Sequence, residues 1–308
     1  MHQPAPHLLA AAKSGDREAF GRLVEPLSGE LHAHCYRMLG STHDADDAVQ
    51  ETLLRAWRSL DRFEDRGSIR PWLYKIATNR CLTMLERRSR LDLPTDLSPE
   101  MYTLIDPYPE AGPEEHTVAK ENLELAFVAA LQYLTGTQRA VLLLREVLGF
   151  SAAEVAGLLD TTAAAVNSAL QRARKVTLPQ AQPTGPEVAD LARRYAEAWE
   201  AGDVEGIVAM LSDDAKYSMP PLPEWFHGHA AIREFLLSGP IRHRWRFVQT
   251  TANGQIAFGT YIWDEHAKIY SAAGLDVLAV RGGRIVEVVS YLQADLTDFA
   301  LPESITAT

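Results

Sequence analysis

The sequence predicts a multidomain protein in which two all-α helical domains are followed by an α+β domain shaped like a cone. Apolar residues recur at helical spacing in residues 8–90 and 119–178. Proline-rich stretches at 91–118 and 179–186 are expected to be linkers. Residues 187–308 begin with helical patterns and continue with strand-like runs, which is the order expected of an α+β domain.

The bulk composition is typical of a globular protein with hydrophobic cores. Its 308 residues, of which 46% are hydrophobic and 23% are charged, suffice for two or three domains. No long apolar run or signal-peptide pattern is present, which predicts a cytoplasmic protein without membrane association. Cys35 and Cys81 are too few for a disulfide framework and are expected to be buried free thiols. Because no Cys/His cluster has the spacing of zinc ligands, we expect neither a metal nor a cofactor.

The net charge of −11 is unevenly distributed along the chain. The helical domains are nearly neutral, since residues 1–90 carry +2 and residues 119–178 carry +1. The acidity lies in residues 91–118 and in residues 179–308, each of which carries −7. Proteins that bind DNA tightly on their own are usually basic, so this distribution predicts weak DNA affinity without a partner.

The stretch Asp44–Arg80 combines two helical patterns with different outer faces. In the first helix, apolar residues recur at helical spacing and are expected to face a core; they are Val49, Leu53, Ala56 and Leu60. The opposite face is acidic but includes an apolar leucine, which favours a docking surface for a protein over a DNA clamp. The residues assigned to this surface are Asp44, Asp47, Gln50, Glu51 and Leu54.

The second helix of this stretch is expected to start near Pro71, because proline suits the first turn of a helix. It turns Trp72, Lys75 and Asn79 to one side. An aromatic ring, a cation and an amide on one face suit unstacked bases and phosphates. From spacing alone, an ordinary amphipathic bundle with Trp72 as half-buried packing explains the pattern slightly better.

Residues 91–118 contain five prolines and seven acidic residues, a composition typical of an extended linker. Tyr108 lies between two prolines in its segment DPYPE. Such a stiff segment could dock its aromatic ring in a groove, or it could be an undocked tether. The pattern leaves both alternatives open.

Residues 119–178 end in a helix-turn-helix pattern. Ser151 and Glu154 have the spacing of a capping box at the start of a short helix. After a turn, the helix Ala163–Lys175 is expected to expose amides and cations, as a recognition helix does. Its candidate DNA-contacting residues are Thr162, Asn167, Ser168, Gln171, Arg172, Arg174 and Lys175.

Both helical domains resemble parts of a known family. The motifs DADDAVQETLLRAW and GSIRPWLYKIATNR resemble region 2 of the sigma-70 family, in its extracytoplasmic-function group. Region 4 of that family is similar to TGTQRAVLLLREVLGFSAAEVAGLLDTTAAAVNSALQRAR. The resemblance implies that the acidic surface binds core RNA polymerase and that Ala163–Lys175 reads the minus-thirty-five promoter element.

The same resemblance implies that region 2 captures the melted minus-ten strand of the promoter. The candidate contacts are Arg66, Ser68, Arg70, Trp72, Lys75, Asn79 and Arg80. Arg66 and Arg70 could instead be ordinary surface charges. Arg80 falls in the apolar stripe of its helix and could be either a promoter contact or a structural residue.

Residues 187–308 combine helical and strand-like patterns. Helices are expected at Val188–Ala201, near Val204–Leu211 and in GHAAIREFLL. The strand-like runs are Trp245–Thr251, Gln255–Trp263, Ala267–Val280 and Arg284–Leu292. The glycine pair in RGGR predicts a tight hairpin in a curved antiparallel sheet. The segments RRYAEAWEAGDVEGIVAMLSDDAKY and AAIREFL resemble the SnoaL-like and ketosteroid-isomerase-like superfamily.

That resemblance implies an apolar pocket that could bind a small ligand of unknown identity. The residues assigned to it are Tyr195, Met219, Trp225 and Asp276. Isomerases of this superfamily use a carboxylate base beside a Tyr and a protonated Asp. Tyr195 and Asp276 fall at the positions of that Tyr and Asp, but Met219 falls at the position of the base and cannot move a proton. Isomerase activity is therefore not implied.

The sequence as a whole predicts a sigma factor that brings RNA polymerase to promoter DNA and is not an enzyme. The C-terminal domain is expected to regulate it in cis through contacts with the sigma core, made by Tyr108, Gly282, Gly283 and Arg284. Two alternatives stay open. One is a small-molecule isomerase or cyclase acting in the C-terminal pocket, and the other is a helix-turn-helix regulator without polymerase specificity.

Overall fold

The computed structural model describes residues 6–63, 68–88, 105–109, 124–175 and 185–306. The chain forms two compact units. The helical unit consists of Met1–Asp96 and Ala111–Pro179, and the sheet unit consists of Leu97–Glu110 and Gln180–Thr308. The predicted domain boundaries at 90, 118 and 178 lie outside the described residues and stay predictions. Within those residues, none of the helices has both the length and the apolar character needed to cross a membrane.

The first part of the helical unit is built from α1 (Pro6–Lys13), α2 (Arg17–Leu39), α3 (Thr42–Ser59) and α4 (Arg70–Arg88). The Asp16 carboxylate accepts hydrogen bonds from the first turn of α2, which fixes where that helix begins. Gly40 ends α2 with a φ of 77°, a left-handed conformation that favours glycine. Ser41 then caps α3. Cys35 on α2 and Cys81 on α4 are buried free thiols, as predicted.

The buried face of α3 differs from the expected one. The predicted core residues Val49 and Leu53 are only half-buried. Small side chains take the innermost positions, because they let α3 approach α2 and α4 closely. The fully buried residues of α3 are Ala45, Ala48, Thr52 and Ala56.

The second part of the helical unit contains α5 (Leu125–Gln132), α6 (Gly136–Leu142), α7 (Ala152–Leu158) and α8 (Ala163–Ala173). A π-helical turn, Leu143–Val147, continues α6. The predicted capping box is confirmed, because Ser151 and Glu154 each bond the backbone N–H of the other at the start of α7. Helices α7 and α8, joined by a short turn, form the predicted helix-turn-helix.

The sheet unit contains α9 (Pro186–Ala201), α10 (Val204–Met210) and α11 (Gly228–Ser238). Its strands are β1 (Leu211–Ser218), β2 (Trp225–His227), β3 (Trp245–Ala252), β4 (Gln255–Asp264), β5 (Ile269–Arg281), β6 (Arg284–Tyr291) and β7 (Ser304–Thr306). They form one seven-stranded sheet in the order β2-β1-β6-β5-β4-β3, with β7 paired to β5. Gly282 and Gly283, with φ of 56° and 75°, make the predicted turn between β5 and β6.

Two features of the sheet correct the sequence-based expectation. The sheet is mixed rather than antiparallel, because β1 pairs with β6 in parallel. The helix expected near Val204–Leu211 ends at Met210. Strand β1, which is not among the predicted strand-like runs, follows it at once. The sequence of β1, LSDDAKYS, lacks regular alternation, since adjacent Asp213 and Asp214 are both exposed. A strand without period-two alternation leaves no clear sequence signal.

Both faces of this sheet are covered. Helices α9, α10 and α11 pack on one face of the sheet, and the main hydrophobic core lies between them and the strands. On the opposite face, the side chain of Leu301 lies so close to Gly259 of β4 that a Cβ there would come within 2.5 Å of it. Residues 105–109, which lie between the two sigma-like regions in sequence, also belong to this unit, and Ile105 is 1% exposed.

Candidate functional sites

The residues predicted to form the docking surface lie along the outer side of α3. Asp47 and Gln50 are exposed, and Leu54 is 44% exposed, which is high for a large apolar side chain. Glu51 lies on the same face and bonds Arg55 at 2.6 Å, and this bond lowers the pKa of the Glu51 carboxyl. Asp44 is half-buried in the first turn of the helix. An acidic face around an exposed leucine can bind a basic surface that has an apolar pocket.

Trp72 on α4 belongs to an aromatic cluster that spacing alone does not reveal. Its ring lies 5.0 Å from the ring of Phe63, which precedes α4 in the chain. The Lys13 ammonium donates to the Phe63 carbonyl at 2.6 Å and lies 5.7 Å from its ring. Trp72 is half-buried, so one part of the ring packs and another part is available for stacking. Phe63 is buried and Lys13 holds its carbonyl, so both support the position of the Trp72 ring.

Lys75 is held by the helix-turn-helix. Its ammonium donates to Asp160 Oδ1 at 2.6 Å and to the Gly157 carbonyl at 3.1 Å. Asn79, one turn further along α4, is half-buried. These two side chains lie on one helix face, as predicted, but the cation is engaged inside the helical unit.

Arg70 has a structural environment rather than that of an ordinary surface charge. Its guanidinium bonds Glu30 at 3.0 Å and lies over the rings of Tyr74, at 4.9 Å, and Phe150, at 5.2 Å. Ser68 is exposed, and its hydroxyl accepts a hydrogen bond from the Arg70 backbone N–H at 3.3 Å. A guanidinium with one carboxylate and two rings as partners is committed to packing in this structure.

The two remaining minus-ten candidates are Arg66 and Arg80. Arg66 lies outside the described residues. Arg80 is half-buried, and its Nε is a buried donor without a hydrogen-bond partner among the described residues. Its charge contributes, after those of Arg55 and ahead of Arg58, to lowering the pKa of Glu51.

The predicted face of α8 is exposed along its length. The exposed residues are Asn167, Ser168, Gln171, Arg172, Arg174 and Lys175. Arg174 forms an ion pair with Glu146 at 2.7 Å. Thr162 uses its hydroxyl to cap the helix, since Oγ1 accepts from the Ala165 N–H at 3.2 Å. Amides and cations on an exposed helix after a tight turn can enter the major groove.

The sheet unit encloses an apolar cavity of about 380 Å³. Its walls include Met219 and a set of aromatic side chains on α9, β1, α11 and β3, namely Trp199, Tyr217, Phe235, Trp245 and Phe247. Of the four residues assigned to the pocket, Met219 and Asp276 line it, whereas Tyr195 and Trp225 are not among its lining residues. Tyr195 is fully buried, and the Trp225 ring stacks on His227 of the short strand β2. Trp199, Phe235 and Phe247 were missed because helix and strand periodicity does not say which face closes over a cavity.

Asp276 is a carboxylate in the lining of this cavity and is 2% exposed; Tyr217, His243, Thr260 and Ser290 also line it. Burial raises the pKa of its carboxyl to about 6, although bonds from the hydroxyls of Ser290, Tyr195 and Tyr217 oppose the shift. The Tyr195 hydroxyl lies 3.4 Å from Asp276 Oδ2, so the predicted Tyr–Asp pair is formed. Met219, where the isomerases carry their base, cannot accept a proton. The arrangement can bind a ligand's polar group.

The predicted regulatory residues divide into two groups. Tyr108 is held by Asn253 on the sheet unit: the Tyr108 N–H donates to Asn253 Oδ1 at 2.7 Å, and the Asn253 N–H donates to the Tyr108 carbonyl at 2.9 Å. Arg284 joins two elements of the sheet unit, because Nη1 donates to the carbonyls of Ala209 and Leu211 where α10 meets β1. Gly282 and Gly283 are exposed at the hairpin turn.

Comparison with known proteins identifies the family of this chain. The sigma-70 region 2 model matches residues 23–91, the sigma-70 region 4 model matches residues 124–176, and the SnoaL-like domain model matches residues 192–288. The ECF RNA polymerase sigma factor SigG of Mycobacterium tuberculosis is 40% identical over 318 residues, which cover 94% of this chain and 85% of SigG. This chain belongs to the ECF RNA polymerase sigma factors.

Other relatives of this sigma factor match its parts or its fold. The RNA polymerase sigma factor CnrH of Cupriavidus metallidurans is 36% identical over 175 residues, which cover 54% of this chain and 88% of CnrH. The crystal structure of the extracytoplasmic function sigma factor SigJ of M. tuberculosis has the same fold, with a TM-score of 0.65 at 24% identity over 91% of this chain and 100% of SigJ. Because its relatives over nearly the whole chain are sigma factors, this protein is a transcription initiation factor and not an isomerase.

Proposed function

We propose that this sigma factor binds core RNA polymerase in the cytoplasm through the α3 face, captures the melted minus-ten strand on α4, and places α8 in the major groove at the minus-thirty-five element. The contiguous exposed face of Asp47, Gln50 and Leu54 supports the first step. The aromatic pair of Trp72 and Phe63 supports the second, and the exposed polar face of α8 supports the third.

Magnitudes explain why a polymerase partner is needed. Stacking in duplex DNA is worth about 1.4 kcal/mol per base-pair step, so opening about ten pairs costs roughly 14 kcal/mol. Stacking a flipped base on an aromatic side chain recovers about 1–3 kcal/mol. One aromatic pair can bias strand separation but cannot drive it, so the enzyme that holds both strands must supply the rest.

We further propose that the sheet unit regulates this activity in cis. The observation that supports this is the attachment of residues 105–109, which join regions 2 and 4 in sequence, to the sheet unit through Asn253 and an isolated bridge between Pro109 and Ala252. A connection held at its middle restricts the arrangements that the two DNA-binding regions can adopt. Releasing the segment should therefore change promoter opening.

Promoter-dependent transcription with core enzyme tests both proposals in the full chain. Asn253→Gly removes the acceptor for the Tyr108 N–H yet tolerates the φ of 56° at this position. We expect it to change transcript yield about two- to tenfold, because a buried hydrogen bond is worth roughly 0.5–1.5 kcal/mol. The control Gln249→Ala changes an exposed side chain of the neighbouring strand β3 and should behave as wild type.

The outcomes separate the two parts of the proposal. If Asn253→Gly transcribes as wild type does, regulation through this segment is refuted while the sigma function stands. If the wild-type chain gives no core-dependent transcript from any promoter it is offered, the sigma assignment of the surfaces fails.

The cavity of the sheet unit supports a ligand-dependent form of this regulation. Its apolar walls and its buried Asp276 suit a small, mostly apolar molecule with one hydrogen-bonding group. Because Trp199 and Trp245 line the cavity, occupancy would be measured as a change in tryptophan fluorescence.

A further inference from the structure

The contact between α4 and the helix-turn-helix has a consequence for DNA binding. Lys75 and Asp160 are separated by 85 residues in sequence, yet they form an ion pair of 2.6 Å. The Gly157 carbonyl at the end of α7 accepts a second bond from the same ammonium. A cation that belongs to the predicted minus-ten face is thus bound by the turn that precedes the recognition helix α8.

A second contact lies beside the ion pair. Phe150, two residues before α7, is 5% exposed, and its ring meets the Tyr74 ring at 5.7 Å in an edge-to-face arrangement. The Arg70 guanidinium also lies over the Phe150 ring, at 5.2 Å from its centre. Residues 70, 74 and 75 lie on consecutive turns of α4, so the helix-turn-helix is held against α4 by an aromatic contact and an ion pair together.

We propose that the pair of Lys75 and Asp160 is an autoinhibitory latch, in which the Asp160 carboxylate occupies the place beside Lys75 that a DNA phosphate would take. While the latch is closed, Lys75 is paired with the Asp160 carboxylate, and that carboxylate repels an approaching phosphate. The latch must open before Lys75 can contact the minus-ten strand. This proposal rests on the proposed role of α4 in capturing that strand.

The geometry fits a latch that opens easily rather than a permanent contact. The side chains of Lys75 and Asp160 are 36% and 74% exposed, and ion pairs this exposed are weak and screened by salt. Asp160 has a φ of 49°, a left-handed conformation that asparagine also adopts readily. Asp160→Asn therefore removes the charge without disturbing the turn.

The test measures binding of a short fluorescein-labelled single-stranded DNA of randomised sequence to the full chain at low salt, without polymerase. We expect Asp160→Asn to raise affinity about two- to fivefold, the range that an exposed ion pair can supply. The matched control Glu25→Gln, which removes an exposed carboxylate of α2, changes the net charge equally and should have a smaller effect. Asp160→Asn should not raise the DNA affinity of a chain that also carries Lys75→Gln. In the chain that retains Lys75, the gain in DNA affinity should become smaller as salt is added.

An Asp160→Asn chain with unchanged affinity, or with a gain that Glu25→Gln or the Lys75→Gln background reproduces, overturns the latch. Core-dependent transcription by the same preparations keeps this failure distinct from failure of the proposed function. Wild-type transcription with no Asp160 effect refutes only the latch, whereas absence of core-dependent transcription refutes the sigma assignment instead.

Discussion

Helices α4 and α8 both have polar outer faces in the sequence, yet the structure surrounds those faces differently. The amides and cations of α8, such as Asn167, Gln171 and Arg172, are exposed. On α4, Arg70 is bound to Glu30, and Lys75 is bound to Asp160. One helix presents its face to solvent, and the other shares its cations with the protein around it.

The difference agrees with what each helix has to bind. A duplex is always present, and a helix that reads its major groove needs only an exposed, correctly capped face. Unstacked bases exist only after the strands separate, so the cations of α4 can stay bound to protein partners until that step. The comparison predicts that substitutions on α4 affect folding and DNA opening together, whereas substitutions on α8 affect DNA binding alone.

Two arginine substitutions, one on α4 and one on α8, should give the largest difference in stability between the two helices. Arg70→Ala removes a charge-assisted bond to half-buried Glu30 and two cation–π contacts, so we expect the free energy of unfolding of the full chain to fall by about 2 kcal/mol. Arg172→Ala, at an exposed site, should change it by less than about 0.5 kcal/mol. Arg172→Ala should instead weaken promoter-dependent transcription, measured beside denaturant unfolding. Equal loss of stability in both variants would mean that the two faces do not differ.

Acidification should loosen α4 before α8. Burial, with the nearby charges of Arg37 and Arg70, lowers the pKa of His34 from its usual 6.5 to about 3, and His34 Nε2 lies 2.9 Å from Thr78 Oγ1 on α4. Since the unfolded chain binds this proton more readily, the contribution of His34 to stability is present above pH 6.5 and is lost as pH falls toward 3. We expect a loss of about 2 kcal/mol at pH 5.

His34→Gln tests that assignment by removing the titratable group while retaining an amide that can bond Thr78. The difference in unfolding free energy between pH 7 and pH 5 should become smaller in this variant than in wild type. Hydrogen-exchange protection factors should fall between pH 7 and pH 5 more in α4 than in α8. A wild-type pH dependence in the variant would assign the effect to other groups.

Features that depend on residues close together in the sequence were predicted correctly. The capping box at Ser151, the glycine turn at 282–283 and the exposed face of α8 depend on residues close in sequence, and the structure has all three. The partners of α4 could not be predicted in that way. Glu30 and Asp160 lie 40 and 85 residues from the cations that they bind, and periodicity describes one helix at a time.

The sheet unit shows the same limit at its cavity. Asp276 and Tyr195 meet as the superfamily resemblance implied, but Trp225 lies on β2 away from the cavity, and Trp199 lines the wall instead. The attachment of Tyr108 to Asn253 also joins residues 145 positions apart. Aromatic residues are recognisable as wall candidates in a sequence, whereas the choice among them depends on which strands close over the cavity.

Trp72→Ala gives the smallest expected effect and the sharpest test of the comparison, because it asks whether Trp72 on α4 serves DNA or only packs on Phe63. We expect formation of open complexes to fall about tenfold, the lower part of the range for losing one stacked base, with binding to core enzyme unchanged. Trp57→Ala is the matched control, since Trp57 is also half-buried and packs on one phenylalanine, Phe20, at 5.3 Å. Both variants lose packing area, so both should lose similar stability, but only Trp72→Ala should lower the single-strand reactivity of promoter DNA at equal occupancy of polymerase. If the two variants open DNA equally well, Trp72 is packing like Trp57, and the contrast between α4 and α8 reduces to the cations that α4 shares with its neighbours.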